Sequence, residues 1–453
     1  MKRGMLRGLT LLSALALVSA CADEQTAPLS PESDASPQMA RVSGGTGDTY
    51  MLVAGNWTAQ QTKAVEAAGG SILYAHPGTG LGAVTSPDPE FLENVLASKA
   101  FSYGFADESV VWQQPIETVE LDPAAVTPGD ETFFGYQWNM RAIEAPAAWA
   151  EGYDGSGARV AVIDGGIYDL HADIAPNLDA ACSASFVPGQ PYNADTGTFW
   201  HGTHVAGIVL AADNGFGVIG VAPGATLMHV KALHGGSGDF SWVIGAILFA
   251  SDPSAFPGYE SCERADIINM SLGAVFPKSD SRGFQSALAK AVNFAASKNV
   301  LVISSAGNEG LDLGQSRDLV SVPAQSGSGL AISATGPVDQ VDFRRIASYS
   351  NYGEDLVFLA APGGDYAGNI LDTVLSTCRG TSTPPTYSFC WATGTSMASP
   401  AVAGVAALIV GKYPGISLGK LKAMLKNSAD DEGKVGNDEY YGHGFVNAYR
   451  AVN

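Results

Sequence analysis

The sequence predicts an α/β protein: a doubly wound, mostly parallel sheet with helices on both faces, preceded by a small α+β domain. From about residue 133 onward, short β-branched runs alternate with longer helical stretches. Near-continuous apolar runs of this kind are typical of parallel strands that are buried on both faces. The 453 residues include 54 glycines, 46% hydrophobic residues and only 15% charged residues, so the chain can bury a large core and turn tightly between elements.

The formal net charge of −21 argues against one class of partner. An acidic protein repels phosphate, so we expect no binding to nucleic acid. Solubility outside the cell explains the acidic surface better than recognition of a basic substrate does. We expect a monomer.

The first 20 residues have the pattern of an export signal. Lys2 and Arg3 precede an apolar run over residues 8–20 that is too short to span a bilayer. The run ends in LVSAC, which resembles a bacterial lipobox, where Cys21 would be acylated and become the new N-terminus. The alternative is an ordinary signal that is cut nearby, with Cys21 incidental. We expect membrane attachment only through a lipid on Cys21.

Changes in composition divide the rest of the chain. Residues 21–47 and 116–132 are loose, polar and Pro-containing, which is typical of linkers, and they flank a small domain at residues 48–115. A large domain follows at residues 133–453. The small domain has the order β-α-β-β-α-β, in which two helices cover one face of an antiparallel sheet. We assign its last strand to residues 109–115.

Five cysteines remain to be explained, and Cys21 accounts for one of them. The other four favour disulfides in an exported protein and allow three pairings. We prefer Cys378 with Cys390, because the segment between them is a loop rich in Gly, Ser, Thr and Pro, and Cys182 with Cys262 then follows. A metal site is the weaker alternative, since no pair has C-x-x-C spacing.

Four polar residues fall at strand ends or helix starts that face the carboxyl edge of the predicted sheet, where ligands bind in such folds. Asp164 and Asn308 each have an alternative explanation as turn residues. His201 could equally be a capping or core histidine, and Ser396 a helix N-cap. Together, however, a carboxylate, an imidazole, a hydroxyl and an amide donor are what nucleophilic acyl chemistry requires.

The chain order Asp, His, Ser is that of subtilisin, and the surrounding strings resemble motifs of the subtilisin family of serine proteases. The resemblance spans about residues 133–453 and implies a subtilisin-like form of the predicted fold. Residues 48–115 also resemble the inhibitory propeptide of that family. The matching strings, at Asp164, His201, Asn269 to Gly273, Asn308 and Ser396, are VAVIDGGI, HGTHVAG, NMSLG, SSAGNEG and GTSMASPAVAG.

The resemblance assigns a role to each of these residues. Ser396 would attack the scissile carbonyl, His201 would take and return the proton, and Asp164 would orient the imidazole. The Asn308 side chain and the Ser396 backbone N–H would hold the oxyanion. His204 completes an H-x-x-H string, but this is not the spacing of a zinc protease motif, so we expect it to pack beneath His201.

The resemblance further implies a secreted serine endopeptidase that is made as a self-processing zymogen, with its own propeptide as intramolecular inhibitor. We expect a cut between about Gln114 and Thr132, which would free a periplasmic or extracellular catalytic domain from the membrane-anchored lipoprotein precursor. Two alternatives are a non-catalytic, protease-shaped binding lipoprotein and a sedolisin-like acid peptidase. The first would normally lack a triad residue, and the second uses Glu and Asp where HGTH stands here.

Protein or peptide substrates would bind as an added strand between two backbone edges. By the resemblance, one edge is residues 236–238 and the other residues 271–273. These residues are Gly236, Ser237, Gly238, Ser271, Leu272 and Gly273.

No cofactor is expected for catalysis, but a structural calcium ion is. By the resemblance, Asp173 and Asn214 match two calcium ligands of the family, with loop carbonyls completing the oxygen shell that calcium prefers. Gln137 is a weaker match to a third ligand. The alternative is an ordinary Asn-Gly turn at Asn214.

Overall fold

The structure is a computed structural model that describes residues 49–112, 131–197, 200–380 and 387–453, together with the backbone of residues 117–120. The predicted signal peptide, Cys21 and the linker to residue 47 lie outside the described residues. Most of the predicted linker at residues 116–132 lies outside them as well.

The strands follow one another from the small domain into the large one. Those of the small domain and its junction are β1 Thr49–Val53, β2 Ser71–His76, β3 Leu81–Thr85, β4 Tyr103–Ala106, β5 Ser109–Val111 and β6 Glu117–Glu120. Those of the large domain are β7 Arg159–Asp164, β8 Ala184–Ser185, β9 Thr226–Lys231, β10 Ser237–Asp239, β11 Ile267–Met270, β12 Ala274–Pro277, β13 Leu301–Ser305, β14 Leu319–Val322, β15 Leu330–Thr335, β16 Val357–Pro362, β17 Val374–Arg379 and β18 Tyr387–Thr393.

The helices alternate with these strands. They are α1 Ala59–Ala67, α2 Phe91–Ala97, α3 Trp138–Ala142, α4 Ala145–Ala150, α5 His201–Leu210, α6 Phe240–Ser251, α7 Arg282–Ser297, α8 Thr395–Lys412, α9 Leu418–Ser428 and α10 Ala448–Val452.

A seven-stranded sheet in the order β16-β15-β13-β11-β7-β9-β8 forms the centre of the large domain, and all its pairings are parallel. Helices α5 and α8 cover one face, and α6 and α7 cover the other. Side chains alternate between these two cores along each strand: on β7, Val162 joins the α5/α8 core and Ile163 the α6/α7 core. The predicted α/β fold class is confirmed.

The small domain is an antiparallel sheet in the order β2-β3-β1-β4, with α1 and α2. One strand assignment was wrong. The last strand of this sheet is β4, which pairs with β1, whereas the VVW run that we assigned to it begins in β5. Strand β5 pairs instead with β10 of the large domain, because its apolar Val110 side chain is buried there rather than in the small-domain core.

Helix α8 is 89% buried and is the one described helix that is long and apolar enough to span a membrane, so its burial identifies it as a core helix. Ser396 is not its N-cap: the helix begins at Thr395 after Gly394, and no side chain caps it. Pro400 lies beyond the first turn, so it removes the N–H that would bond to the Ser396 carbonyl. The Ser271 hydroxyl donates to this carbonyl instead, at 2.8 Å.

Two disulfides are formed, Cys182–Cys262 and Cys378–Cys390. The second joins β17 to β18, which pair as an antiparallel hairpin. Strand β18 leads directly into α8, so this bridge braces the strand that precedes Ser396.

The close contact between α5 and β17 generates a stability prediction. A Cβ at Gly207 would overlap the hydroxyls of Ser376 and Thr377, which donate to carbonyls in the first turn of α5 at 2.8 Å. We expect Gly207→Ala to lower the free energy of unfolding by about 1–3 kcal/mol, measured by thermal unfolding. Gly419→Ala is the control, because no atom lies within 4 Å of its Cβ position in α9, and it should be neutral or stabilising. Equal shifts for both variants would contradict the prediction.

Candidate active site

The last residue of β7 and the first residue of α5 meet at the carboxyl edge of the sheet. His201 Nδ1 lies 2.8 Å from Asp164 Oδ1 and 2.9 Å from Oδ2, and both side chains are buried. Asp164 Oδ1 also accepts the N–H of Gly165 at 2.7 Å. Because a carboxylate accepts, Nδ1 carries the proton, and Nε2 is the basic nitrogen of the ring.

The HGTH string is explained by the packing beneath this pair. A Cβ at Gly202 would lie 2.9 Å from the Gly166 carbonyl and 3.2 Å from Asp164 Cβ, so no larger residue fits. His204 Nε2 lies 2.9 Å from the Cys390 carbonyl, and burial lowers the pKa of His204 to about 3. His204 is therefore neutral and packs in the interior, as predicted.

Ser396 stands in the first turn of α8, buried, with its hydroxyl donating to the Ser271 carbonyl at 3.2 Å. Behind it, Ser271 Oγ accepts from Asn269 at 3.0 Å and lies 2.9 Å from Ser399 Oγ. With the bond to the Ser396 carbonyl described above, this network fixes the start of the helix. The NMSLG string therefore supports the serine from behind.

Asn308 faces the same helix start. Its Oδ1 accepts from the Thr395 N–H at 2.9 Å and from the Thr395 hydroxyl at 2.7 Å, which turns its Nδ2 the other way. The position where a Cβ of Gly394 would stand is 3.5 Å from Asn308 Nδ2 and 3.6 Å from the Ser396 nitrogen. The two donor nitrogens thus border the position that a side chain at residue 394 would fill.

Of the two predicted substrate edges, one is paired in the structure. Ser237 pairs with Val111 and Gly238 with Val110, and the Trp112 N–H donates to the Gly236 carbonyl at 3.0 Å. The other predicted edge, residues 271–273, does not pair with β5 in the described part of the chain.

The two predicted calcium ligands lie together. Asn214 Nδ2 is 3.3 Å from Asp173 Oδ1, and Glu131, which sequence reasoning missed, accepts the N–H groups of Asn214 and Gly215 at 2.8 and 2.7 Å. Gln137 is not a third partner, because its amide bonds to the backbone of Ile219 on both sides.

Burial raises the pKa of Asp173 to about 7, and Glu131 contributes by charge repulsion. Burial also raises the pKa of Glu131, with Asp213 adding repulsion. Converging carboxylates of this kind fit a hard cation in their donor chemistry. The described residues hold no cluster of three or more His, Cys, Asp or Glu side chains arranged around one metal position, so amide and backbone oxygens would have to complete a shell.

A parallel α/β sheet that brings an Asp–His pair and a serine at a helix N-terminus to one edge defines a class of serine protease. The family model described as the subtilase family matches residues 155–444. The chain belongs to this family, as predicted, and is a serine-type endopeptidase that acts on protein or peptide substrates.

Curated relatives agree with this. Subtilisin NAT of Bacillus subtilis subsp. natto is 35% identical over 360 residues, which cover 78% of this chain and 82% of that protein. M-protease of Shouchella clausii is 36% identical over 348 residues, 75% of this chain and 77% of that protein.

Solved structures share the fold. The epidermin leader peptide processing serine protease of Staphylococcus aureus superposes with a TM-score of 0.70 at 22% identity, covering 89% of this chain and 99% of that one. A protease of Pseudoalteromonas arctica superposes with a TM-score of 0.57 at 31% identity, covering 72% and 99%.

The converging donors generate a kinetic prediction. We expect Asn308→Ala to lower kcat by about 10²–10³, the loss known for subtilisin, the prototype of the family, when its oxyanion-hole asparagine is replaced. KM should change little, because the lost N–H would act only on the developing oxyanion. Steady-state kinetics with a chromogenic peptide tests this, and a change confined to KM would contradict it.

Proposed function

We propose that the chain is an exported zymogen whose catalytic domain cleaves peptide bonds through an acyl-enzyme, with Asp164, His201 and Ser396 as its triad. One observation carries the proposal: the Asp164–His201 pair and Ser396 stand at the same sheet edge, each at the end or start of a regular element. Asn308 would be the oxyanion donor.

In the first step, Ser396 Oγ attacks the scissile carbonyl as His201 Nε2 takes its proton. The Asp164 carboxylate holds the Nδ1 proton and stabilises the imidazolium that forms. Collapse of the tetrahedral intermediate transfers the proton from Nε2 to the leaving amine and leaves an acyl-enzyme on Ser396. Water, activated by the same imidazole, then releases the acid product.

Backbone pairing supports self-processing. Strand β5 lies on β10 upstream of the site, and β6 pairs with β18 so that Glu117 faces Thr393, three residues before Ser396. Trp112 and Glu117 bound the interval between these two pairings. The first cut is proposed in this interval, at the upstream end of the predicted linker.

Side-chain contacts support the propeptide role of the small domain. Tyr74 Oη donates to the Ser241 carbonyl at 2.6 Å, and Asp107 Oδ1 accepts the Ser241 N–H at 3.2 Å, at the start of α6. Lys290 Nζ donates to the Ala54 carbonyl at 2.6 Å. These bonds would hold the small domain on the cleft after the chain is cut.

The proposal has two further parts. The chain would be exported as a lipoprotein with its lipid on Cys21, and the catalytic domain would bind a structural calcium ion. Glu131, Asp173 and Asn214 would hold the calcium, which would neutralise their buried carboxylates. Since Glu131 lies downstream of the proposed first cut, it would stay with the catalytic domain.

Replacement of the nucleophile tests the proposal. Wild type should process itself, hydrolyse a peptide library and release its catalytic fragment from the detergent phase. Ser396→Ala should remain a full-length, detergent-partitioning precursor with no hydrolysis, because the attacking oxygen is missing. Equal processing and turnover in the two proteins would reject the triad, whereas the absence of both from wild type would favour the non-catalytic binding lipoprotein.

The buried carboxylates give a pH-dependent prediction. In the absence of a cation, the pKa of Asp173 is about 7 in the folded protein, against about 4 when unfolded. Its protonated form therefore stabilises the fold at low pH, and this contribution is lost as the pH rises from about 4 to 7. Chelation of calcium should lower Tm more at pH 8 than at pH 5.

The Ser396→Ala precursor is the protein for this measurement, because it cannot digest itself. Asp173→Asn should abolish most of the difference between calcium and chelator. A Tm at pH 8 that is the same with calcium and with chelator would reject the calcium site without affecting the triad.

A further inference from the structure

A buried carboxylate outside the proposed triad lines a cavity beside the Asp164–His201 pair. The cavity measures about 190 Å³, and Asp164, His201, Asp195 and Gly236 contribute to its wall. Asp195 lies between β8 and α5, and its side chain is only 8% exposed. A buried carboxylate needs partners, because leaving its charge unpaired would cost several kcal/mol.

Three backbone N–H groups from three segments satisfy Asp195. Its Oδ2 accepts from Gly166 at 2.7 Å, and its Oδ1 accepts from Thr196 and Gly235 at 2.8 Å each. Gly166 follows Asp164 by two residues, and Gly235 stands just before the edge that β5 occupies. One carboxylate thus joins the loop behind the triad aspartate to the loop that leads into the substrate edge.

A fully buried lysine balances this charge. Lys231 pairs in register with Asp164 on the neighbouring strand, and its Nζ lies 3.8 Å from Asp195 Oδ1. Nζ also donates to the Leu233 carbonyl at 2.6 Å. Burial lowers the pKa of Lys231, whereas the charges of Asp195 and Asp164 raise it.

Two histidines complete the surroundings. His234 Nδ1 lies 3.6 Å from Asp195 Oδ1 in a partly exposed position. His229 Nε2 lies 2.7 Å from the Gly165 carbonyl, and burial lowers the pKa of His229 to about 4, so that it is neutral at the pH of interest. The charged groups near the Asp164–His201 pair are therefore Asp195 and Lys231, with His234 at the rim.

We propose that Asp195 is a positioning residue for peptide hydrolysis: it fixes Asp164 relative to the substrate edge at β10, and together with Lys231 it sets the charge around the Asp164–His201 pair. This inference rests on the proposed triad. It adds to the triad a fourth side chain, which would act by holding the loops at Gly166 and Gly235 rather than by transferring a proton.

Asp195→Asn keeps the size of the side chain but replaces one acceptor oxygen by an NH₂ group, so at least one of the three loop bonds is lost. We expect kcat/KM to fall about 10–100-fold on a peptide long enough to pair with β10. Loss of the negative charge disfavours the imidazolium, so the acid limb of the pH–rate profile should move down by about half a pH unit. Lys231→Met should move it up by a similar amount.

Two further variants separate geometry and charge from stability. Asp195→Glu keeps the charge, so its acid limb should stay at the wild-type pH even if its longer chain lowers kcat/KM. Asp438→Asn is the matched control, because Asp438 is also buried and accepts three backbone N–H groups, from Lys434, Tyr440 and Tyr441, with no triad residue among them. It should lower Tm and leave kcat/KM and the pH profile unchanged.

The outcomes are distinct. Asp195 has a merely structural role if the activity of Asp195→Asn still depends on Ser396, the kcat/KM and pH profile of this variant are unchanged, and its Tm falls as in Asp438→Asn. This result would overturn the inference and leave the proposed triad intact. An Asp195→Asn precursor that folds but does not process, beside an Asp438→Asn precursor that does, would support it. Activity independent of Ser396 would reject the proposed triad, and this inference with it.

Discussion

Helix α8 has no polar face, and the architecture of the site depends on where such a helix can be buried. It packs against β11, β13, β15 and β16 and against α5, and contacts with Ser271 and Asn308 hold its first turn at the carboxyl edge of the sheet. Pro400 leaves a carbonyl of that turn without its helical partner, and Ser271 supplies the replacement donor. The apolar character of one helix therefore determines where a buried hydroxyl group stands.

Two strands that precede the large domain pair with backbone edges of that domain. Strand β5 completes the edge at β10, and β6 completes the edge at β18, so under the proposed function the inhibitor and the first substrate would belong to the same stretch of chain. Tyr74, Asp107 and Lys290 hold the small domain to helices of the large one through bonds that do not involve the segment to be cut. Under the proposed function, cleavage and dissociation would therefore be separate events with separate determinants.

Local sequence pattern was sufficient for the sheet and for placing Asp164, His201, Asn308 and Ser396 at its edge, because each stands where an apolar run ends or a helix begins. Their proposed catalytic roles came from the combination of residue types and the family resemblance. It failed at β4, whose YGFA string has neither a long apolar run nor clear alternation, and at β5, whose Val110 is buried against the large domain.

Local sequence pattern also could not predict hydrogen bonds between residues that are distant in sequence. Glu131 bonds to a loop 83 residues downstream, and Asp195 bonds to backbone groups 29 residues before it and 40 after it. No local period encodes such contacts. For Asp195, the only signal in the sequence was an acidic residue a few positions before the HGTH string.

Strand β5, which pairs with β10, buries its side chains unequally. Val110 and Trp112 are fully enclosed, whereas the Val111 side chain between them is 68% exposed, as the alternation of a pleated strand requires. Exchange of the side chain at position 111 should therefore cost little folding free energy. The side chains at positions 110 and 112 must instead fit an enclosed space. In the proposed propeptide role, position 111 could therefore carry a polar or even a charged side chain while the enclosed residues on either side keep the strand on β10.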